Sequence, residues 1–120
     1  RADDDNFVKF GEIYFSSVNA KKIKAWHYHK LMTLNYVAVH GYIKLVLYDD
    51  REDSKTKGKI QEIILSNENH NLITIPPKIW VGFQGLSDGV SMLLNIANIE
   101  HNQHEVDKRN IEEIEFNWSN

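Results

Sequence analysis

Short apolar runs alternate with polar, turn-forming stretches along the chain. Within most runs, apolar and polar residues take turns, the period-two pattern of half-buried strands. The pattern predicts strands over residues 10–15, Ile23–His29, residues 34–39, Tyr42–Tyr48, residues 59–65, residues 72–75, Trp80–Gly85 and residues 90–97. Residues 16–22 and 66–71 read as polar turns, and residues 49–58 as a charged loop. His40-Gly41, between two β-rich runs, predicts a tight hairpin, and Pro76-Pro77 stops the strand before it. Helical periodicity is sparse, so residues 100–113 predict at most a short helical turn. Several short strands punctuated by turns define an all-β sandwich or barrel. With no internal repeat, low-complexity tract or linker, residues 1–120 read as one domain.

Against this background one stretch stands out: Lys24-Ala25-Trp26-His27-Tyr28-His29-Lys30. Side chains at i and i+2 of a strand share a face, so His27 and His29 look into the same space and Tyr28 looks away. Two imidazoles inside a barrel mean a metal site, a proton-transfer site or a buried polar pair. Composition narrows the field. A 42% hydrophobic content supports a real core. The net charge of −3, with basic residues scattered, argues against nucleic acid as a partner. The chain has no cysteine, which excludes disulfides and thiolate metal ligands and fits a cytoplasmic setting. No apolar run approaches the ~20 residues of a membrane helix, so no membrane partner is expected. No signal peptide is visible. The first residue is Arg1 and not Met, which suggests a trimmed N-terminus, and the acidic residues 1–5 suggest a frayed end.

Further along, several short motifs fall in a fixed order. They are Gly11-Glu12-Ile13-Tyr14-Phe15-Ser16, Ala25-Trp26-His27-Tyr28, Gly41 before a strand ending in Asp49-Asp50-Arg51, and then Ser54, Thr56 and Gly58. Leu65-Ser66 with Glu68-Asn69, Ile75-Pro76-Pro77, Gly82-Phe83 and Leu86-Ser87-Asp88 follow. In this order and spacing the chain resembles the dTDP-4-dehydrorhamnose 3,5-epimerase family. The resemblance implies a cupin-like jelly-roll barrel and a homodimer. It also implies cofactor-independent epimerisation of a nucleotide-linked 4-keto-6-deoxy sugar at C3, C5 or both, with His27 as the general base. A carbonyl acidifies the neighbouring C–H bonds and acts as the electron sink, so neither metal nor organic cofactor is required. Imidazole titrates near ~6.5 and suits the task.

Several positions depart from the family pattern. The family's diphosphate-gripping arginine is matched by Lys24, a point charge without a bidentate fork. A family lysine is matched by Leu34 and a histidine by Val81, while the tyrosine assigned as general acid falls near Leu93-Leu94. The family carboxylate that orients the catalytic histidine lies in a C-terminal extension beyond Asn120. A metal would lack the acidic residue and the third histidine of cupin sites, whose positions hold Asn35 and Val81, so no metal is expected. The substrate-binding candidates are Lys24, His29, Asn35, Tyr36, Lys44 and Trp80. Lys24 and Lys44 are assigned to the phosphates, and His29, Asn35 and Tyr36 to the pocket. Tyr42 is a further inward candidate, and Lys44 reads as either solvent-facing or a cation in the cavity. Trp26 and Trp80 suit either stacking on a base or filling the core. His40, His70, His101 and His104 read as exposed. A nucleotide-sugar 3,4-ketoisomerase and a non-catalytic sugar-nucleotide-binding cupin remain as alternatives.

Overall fold

In a computed structural model, which describes residues 2–5, 7, 9–69 and 71–119, two antiparallel sheets face each other. Of the frayed end expected over residues 1–5, Arg1 lies outside the described residues, as does His70, expected to be exposed. The strands are β1 (Glu12–Val18), β2 (Ile23–His29), β3 (Leu34–His40), β4 (Tyr42–Tyr48), β5 (Ile60–Ser66), β6 (Ile73–Ile75), β7 (Trp80–Gly85), β8 (Ser91–Ala97) and β9 (Val106–Lys108). One sheet has the order β1-β8-β3-β6, the other β5-β4-β7-β2-β9. This is the all-β sandwich the pattern predicts and the jelly roll the resemblance implies. In place of a helix, residues 100–113 form two single 3₁₀ turns flanking β9.

Two expectations change. The first strand runs on through Ser16 and Ser17 to Val18, because β8 pairs with it along all seven residues. Ladder hydrogen bonds outweigh the turn preference of two serines. The predicted hairpin at His40-Gly41 is instead a corner between sheets, since β3 and β4 belong to different ones. Gly41 takes φ 78°, and a Cβ there would come within 2.4 Å of the Ser91 hydroxyl, so glycine suits the bend on both counts.

Alternation fills the space between the sheets. Leu34, Tyr36 and Ala38 of β3, Ile43 and Leu45 of β4, Val81 and Phe83 of β7 and Leu93 of β8 form the central core with Met32, Ile75 and others. A second apolar cluster lies on the outer face of the five-stranded sheet. There Trp26, Val46 and Trp80 pack against Ile114 and Trp118 of the C-terminal segment. The central strands of this sheet are therefore buried on both faces, which is why β7 has almost no exposed residue. Gly82 makes room for this packing: a Cβ there would stand 2.8 Å from that of Ala25 and 3.1 Å from the Trp118 ring.

The charged loop after β4 is organised by one carboxylate. Asp49 accepts two bonds of 2.9 Å from the Arg51 guanidinium, with further bonds from the Ser54 and Thr56 hydroxyls. The Arg51 guanidinium, with these hydroxyls, holds the Asp49 carboxyl far below the usual carboxylate range despite burial.

Candidate active site

β2 is irregular at its middle. Its register against β7 shifts between Ala25 and His27, so Ala25 and Trp26 both join the outer cluster. Beyond the bulge the alternation resumes, sending His27 and His29 inward and Tyr28 outward against Trp80. The two imidazoles meet edge to face, 5.5 Å between ring centres.

They line a cavity of about 490 Å³ open at one end of the sandwich. The other walls are Tyr14, Ser16 and Tyr36 from the four-stranded sheet, Phe83 from β7, and Val106 and Lys108 from β9, with Glu12 and His101 at the rim. Its size and mixed lining suit a sugar ring.

His27 reaches across the sandwich. Its Nε2 is 3.2 Å from the Tyr36 hydroxyl on the opposite sheet. Burial, the neighbouring His29 and the positive charge of Lys108 lower its pKa to about 4, so His27 is neutral at pH 7. Lys108 is its cross-strand partner and, among the described residues, the only lysine or arginine in the lining. Burial raises the Tyr36 phenol, as it does that of Tyr14, so both keep their protons.

His29 is held differently. Its Nδ1 bonds Oε1 of Glu105, a residue just before β9, and the two side chains are almost fully buried. Oε2 of Glu105 accepts the backbone N–H groups of Leu31 at 3.1 Å and Met32 at 3.3 Å. Burial pushes the Glu105 pKa up, but the bonds from His29, Leu31 and Met32 more than reverse this, and the carboxyl stays ionised. An ionised carboxylate on Nδ1 fixes that nitrogen as an N–H donor and holds the orientation of the ring.

The structure thus gathers His27, His29 and Tyr36, but not the other substrate-binding candidates. The Lys24 ammonium donates to the Ser17 carbonyl at the exposed edge and does not line the cavity. Asn35 lies on the opposite face of β3, donating to the Ile96 carbonyl and accepting from Thr74. Lys44 does alternate away from the core, yet it is buried. The C-terminal segment covers that face, and its ammonium lies near the Trp118 carbonyl at 3.5 Å and Glu62 at 3.7 Å. Trp80 is in the outer cluster with the Arg109 guanidinium 4.3 Å over its ring, a cation–π contact. Tyr42 is exposed. His40, His101 and His104 are exposed as expected, although His101 also borders the cavity.

Sequence reasoning missed Tyr14, Glu105 and Lys108. Tyr14 had a signal, since it alternates with the outward Ile13 and Phe15. Glu105 and Lys108 had none, because they come from a segment without clear periodicity. Among the described residues, no cluster of three His, Asp or Glu side chains is spaced to hold a metal ion, and no helix is long and apolar enough to cross a membrane.

The dTDP-4-dehydrorhamnose 3,5-epimerase family profile matches residues 4–120. The chain belongs to this family. It is 32% identical to the spore coat polysaccharide biosynthesis protein SpsL of Bacillus subtilis over 122 residues, 98% of this chain and 81% of the relative. It is 31% identical to the probable low-salt glycan biosynthesis epimerase Agl13 of Haloferax volcanii over 113 residues, 92% of this chain and 72% of that one. Among solved structures, a dTDP sugar isomerase from Desulfovibrio desulfuricans G20 superposes with a TM-score of 0.94 at 38% identity. That match covers 99% of this chain and 78% of the other. Of these, Agl13 is named as a probable epimerase and the solved structure as a dTDP sugar isomerase.

Proposed function

We propose that the protein epimerises a nucleotide-linked 4-keto-6-deoxy sugar, with dTDP as the nucleotide, at C3, C5 or both. The observation that carries this reading is His27: a neutral imidazole, fixed by Tyr36, facing a sugar-sized cavity. A neutral imidazole can take the proton from the carbon beside the carbonyl, and the electrons move onto the carbonyl oxygen as an enolate. Lys108, cross-strand from His27, supplies the positive charge such an oxygen needs. His29, locked by Glu105, presents a hydrogen-bonding nitrogen to the sugar.

The same reading includes a homodimer. The outer face of the four-stranded sheet carries Ile13, Phe15 and Val39 exposed, with Val37, Leu94 and Ile96 half-buried beside them. An apolar sheet face of this kind suits a second copy packed on it. A diphosphate-linked substrate does not cross a bilayer unaided, so we place the reaction in the cytoplasm.

The test is incubation in heavy water with a panel of nucleotide-linked 4-keto-6-deoxy sugars, followed by mass spectrometry and product analysis. The reading requires deuterium to enter at C3 or C5 with inversion, and His27→Ala to stop it. Binding without any exchange would leave a sugar-nucleotide-binding protein. A moved carbonyl would mean a ketoisomerase.

A further inference from the structure

Inversion at carbon needs two groups, one removing the proton and one returning it to the opposite face. Tyr36 does not meet the second need, because its hydroxyl lies against His27 itself. The row of cross-strand partners across the four-stranded sheet supplies another phenol. Asn95 of β8 pairs with Tyr36 of β3 on one side and Tyr14 of β1 on the other. All three side chains point the same way, and the two tyrosines line the cavity. Two strand spacings put their backbones about 10 Å apart, the width of one strand more than a contact pair.

Asn95 fixes what the Tyr14 hydroxyl does. The Asn95 side chain is 1% exposed, and its Oδ1 accepts the backbone N–H of Asn35 at 3.0 Å. The amide is thereby oriented, and its Nδ2 donates to the Tyr14 hydroxyl at 2.8 Å. With its oxygen engaged as an acceptor, the Tyr14 hydroxyl must send its own proton elsewhere, and the open direction is the cavity. The residues matched to the family's acid tyrosine, Leu93 and Leu94, sit beside this position, with Leu94 paired to Phe15 on the neighbouring strand.

We propose that Tyr14 is the catalytic proton donor that completes epimerisation, held in place by Asn95. This deepens the reading above and rests on it. His27 takes the proton from the α-carbon, and the C–H electrons pass through the new C=C bond to the carbonyl oxygen. The enolate then collapses: C=O re-forms and the C=C electrons bond the Tyr14 proton at the α-carbon from the other face. The phenolate left behind, stabilised by the Asn95 N–H, regains a proton from water, and His27 returns its own.

The experiment uses the full chain with a dTDP-linked 4-keto-6-deoxyhexose in heavy water, scoring exchange and inversion separately. Tyr14→Phe, which removes one oxygen, should lose inversion by at least about 100-fold while His27 still exchanges the proton with retention. Wild-type protein that neither exchanges nor inverts would overturn the reading of the site itself. A Tyr14→Phe variant that inverts at the wild-type rate, or one that folds yet loses exchange and inversion together, would overturn only the role of Tyr14. A fluorinated tyrosine at position 14 keeps the shape and lowers the phenol pKa. The alkaline limb of inversion should then move to lower pH, and an unmoved limb would also overturn the proposal.

Discussion

Nε2 of His27 and the hydroxyl of Tyr36 stand 3.2 Å apart, joining the two sheets beside the cavity. One bond therefore links sandwich geometry to the aim of the imidazole. The bulge at Trp26 is what turns His27 toward that partner, and the outer tryptophan cluster holds the bulge in place.

Tyr36→Phe should keep the fold, since the ring fills the same space, but loosen His27. Deuterium exchange should fall by about tenfold, because one hydrogen bond of about 1 kcal/mol no longer orients the base. His27→Gln should remove exchange altogether. Rates from mass spectrometry check both. Unchanged exchange in Tyr36→Phe would mean that the imidazole is positioned by its strand alone.

The pH dependence follows from His27. Its folded pKa, about 4, is below the ordinary value of 6.5, so between these values the unfolded chain binds a proton that the folded one refuses. Stability from this group is full above pH ~6.5 and declines as pH falls toward 4, by about 3 kcal/mol in all. The acid limb of kcat/KM should lie near pH 4–5. Lys108→Gln removes one of the causes, so the limb should move upward and turnover should fall by about 100-fold. NMR titration of the His27 ring checks the shift without substrate.

Glu105 ties β2 to the segment before β9 through His29, Leu31 and Met32. Glu105→Ala strands an imidazole and two backbone N–H groups and should cost about 3 kcal/mol. Glu105→Gln, which keeps the shape, should cost less. Its folded pKa is depressed, so its contribution is present above its ordinary value and lost as pH falls through the lowered one. Denaturant melts at pH 7 and below pH 4 test this.

Phe15 is 61% exposed on the apolar face assigned to the dimer. Phe15→Glu should convert a dimer to a monomer in analytical ultracentrifugation without disturbing His27, whose side chain comes from the other sheet and faces the interior. A wild-type monomer at high concentration would remove the dimer from the proposal.

The sequence alone determined the first eight strands, most of their limits and the sharing of one face by His27 and His29, because period-two alternation is local; the short β9 had no such pattern. It also carried the ordered motifs that mark the family. Tertiary structure decided which sheet each strand joined, and so turned a predicted hairpin at Gly41 into a corner. It decided that Lys44 and Trp80 lie under the C-terminal segment and not in the cavity, since alternation distinguishes two faces of a strand but not what covers each one. And it brought Glu105 and Lys108 beside the histidines across more than 70 residues of chain, a meeting set by β2–β9 pairing and written in no local pattern.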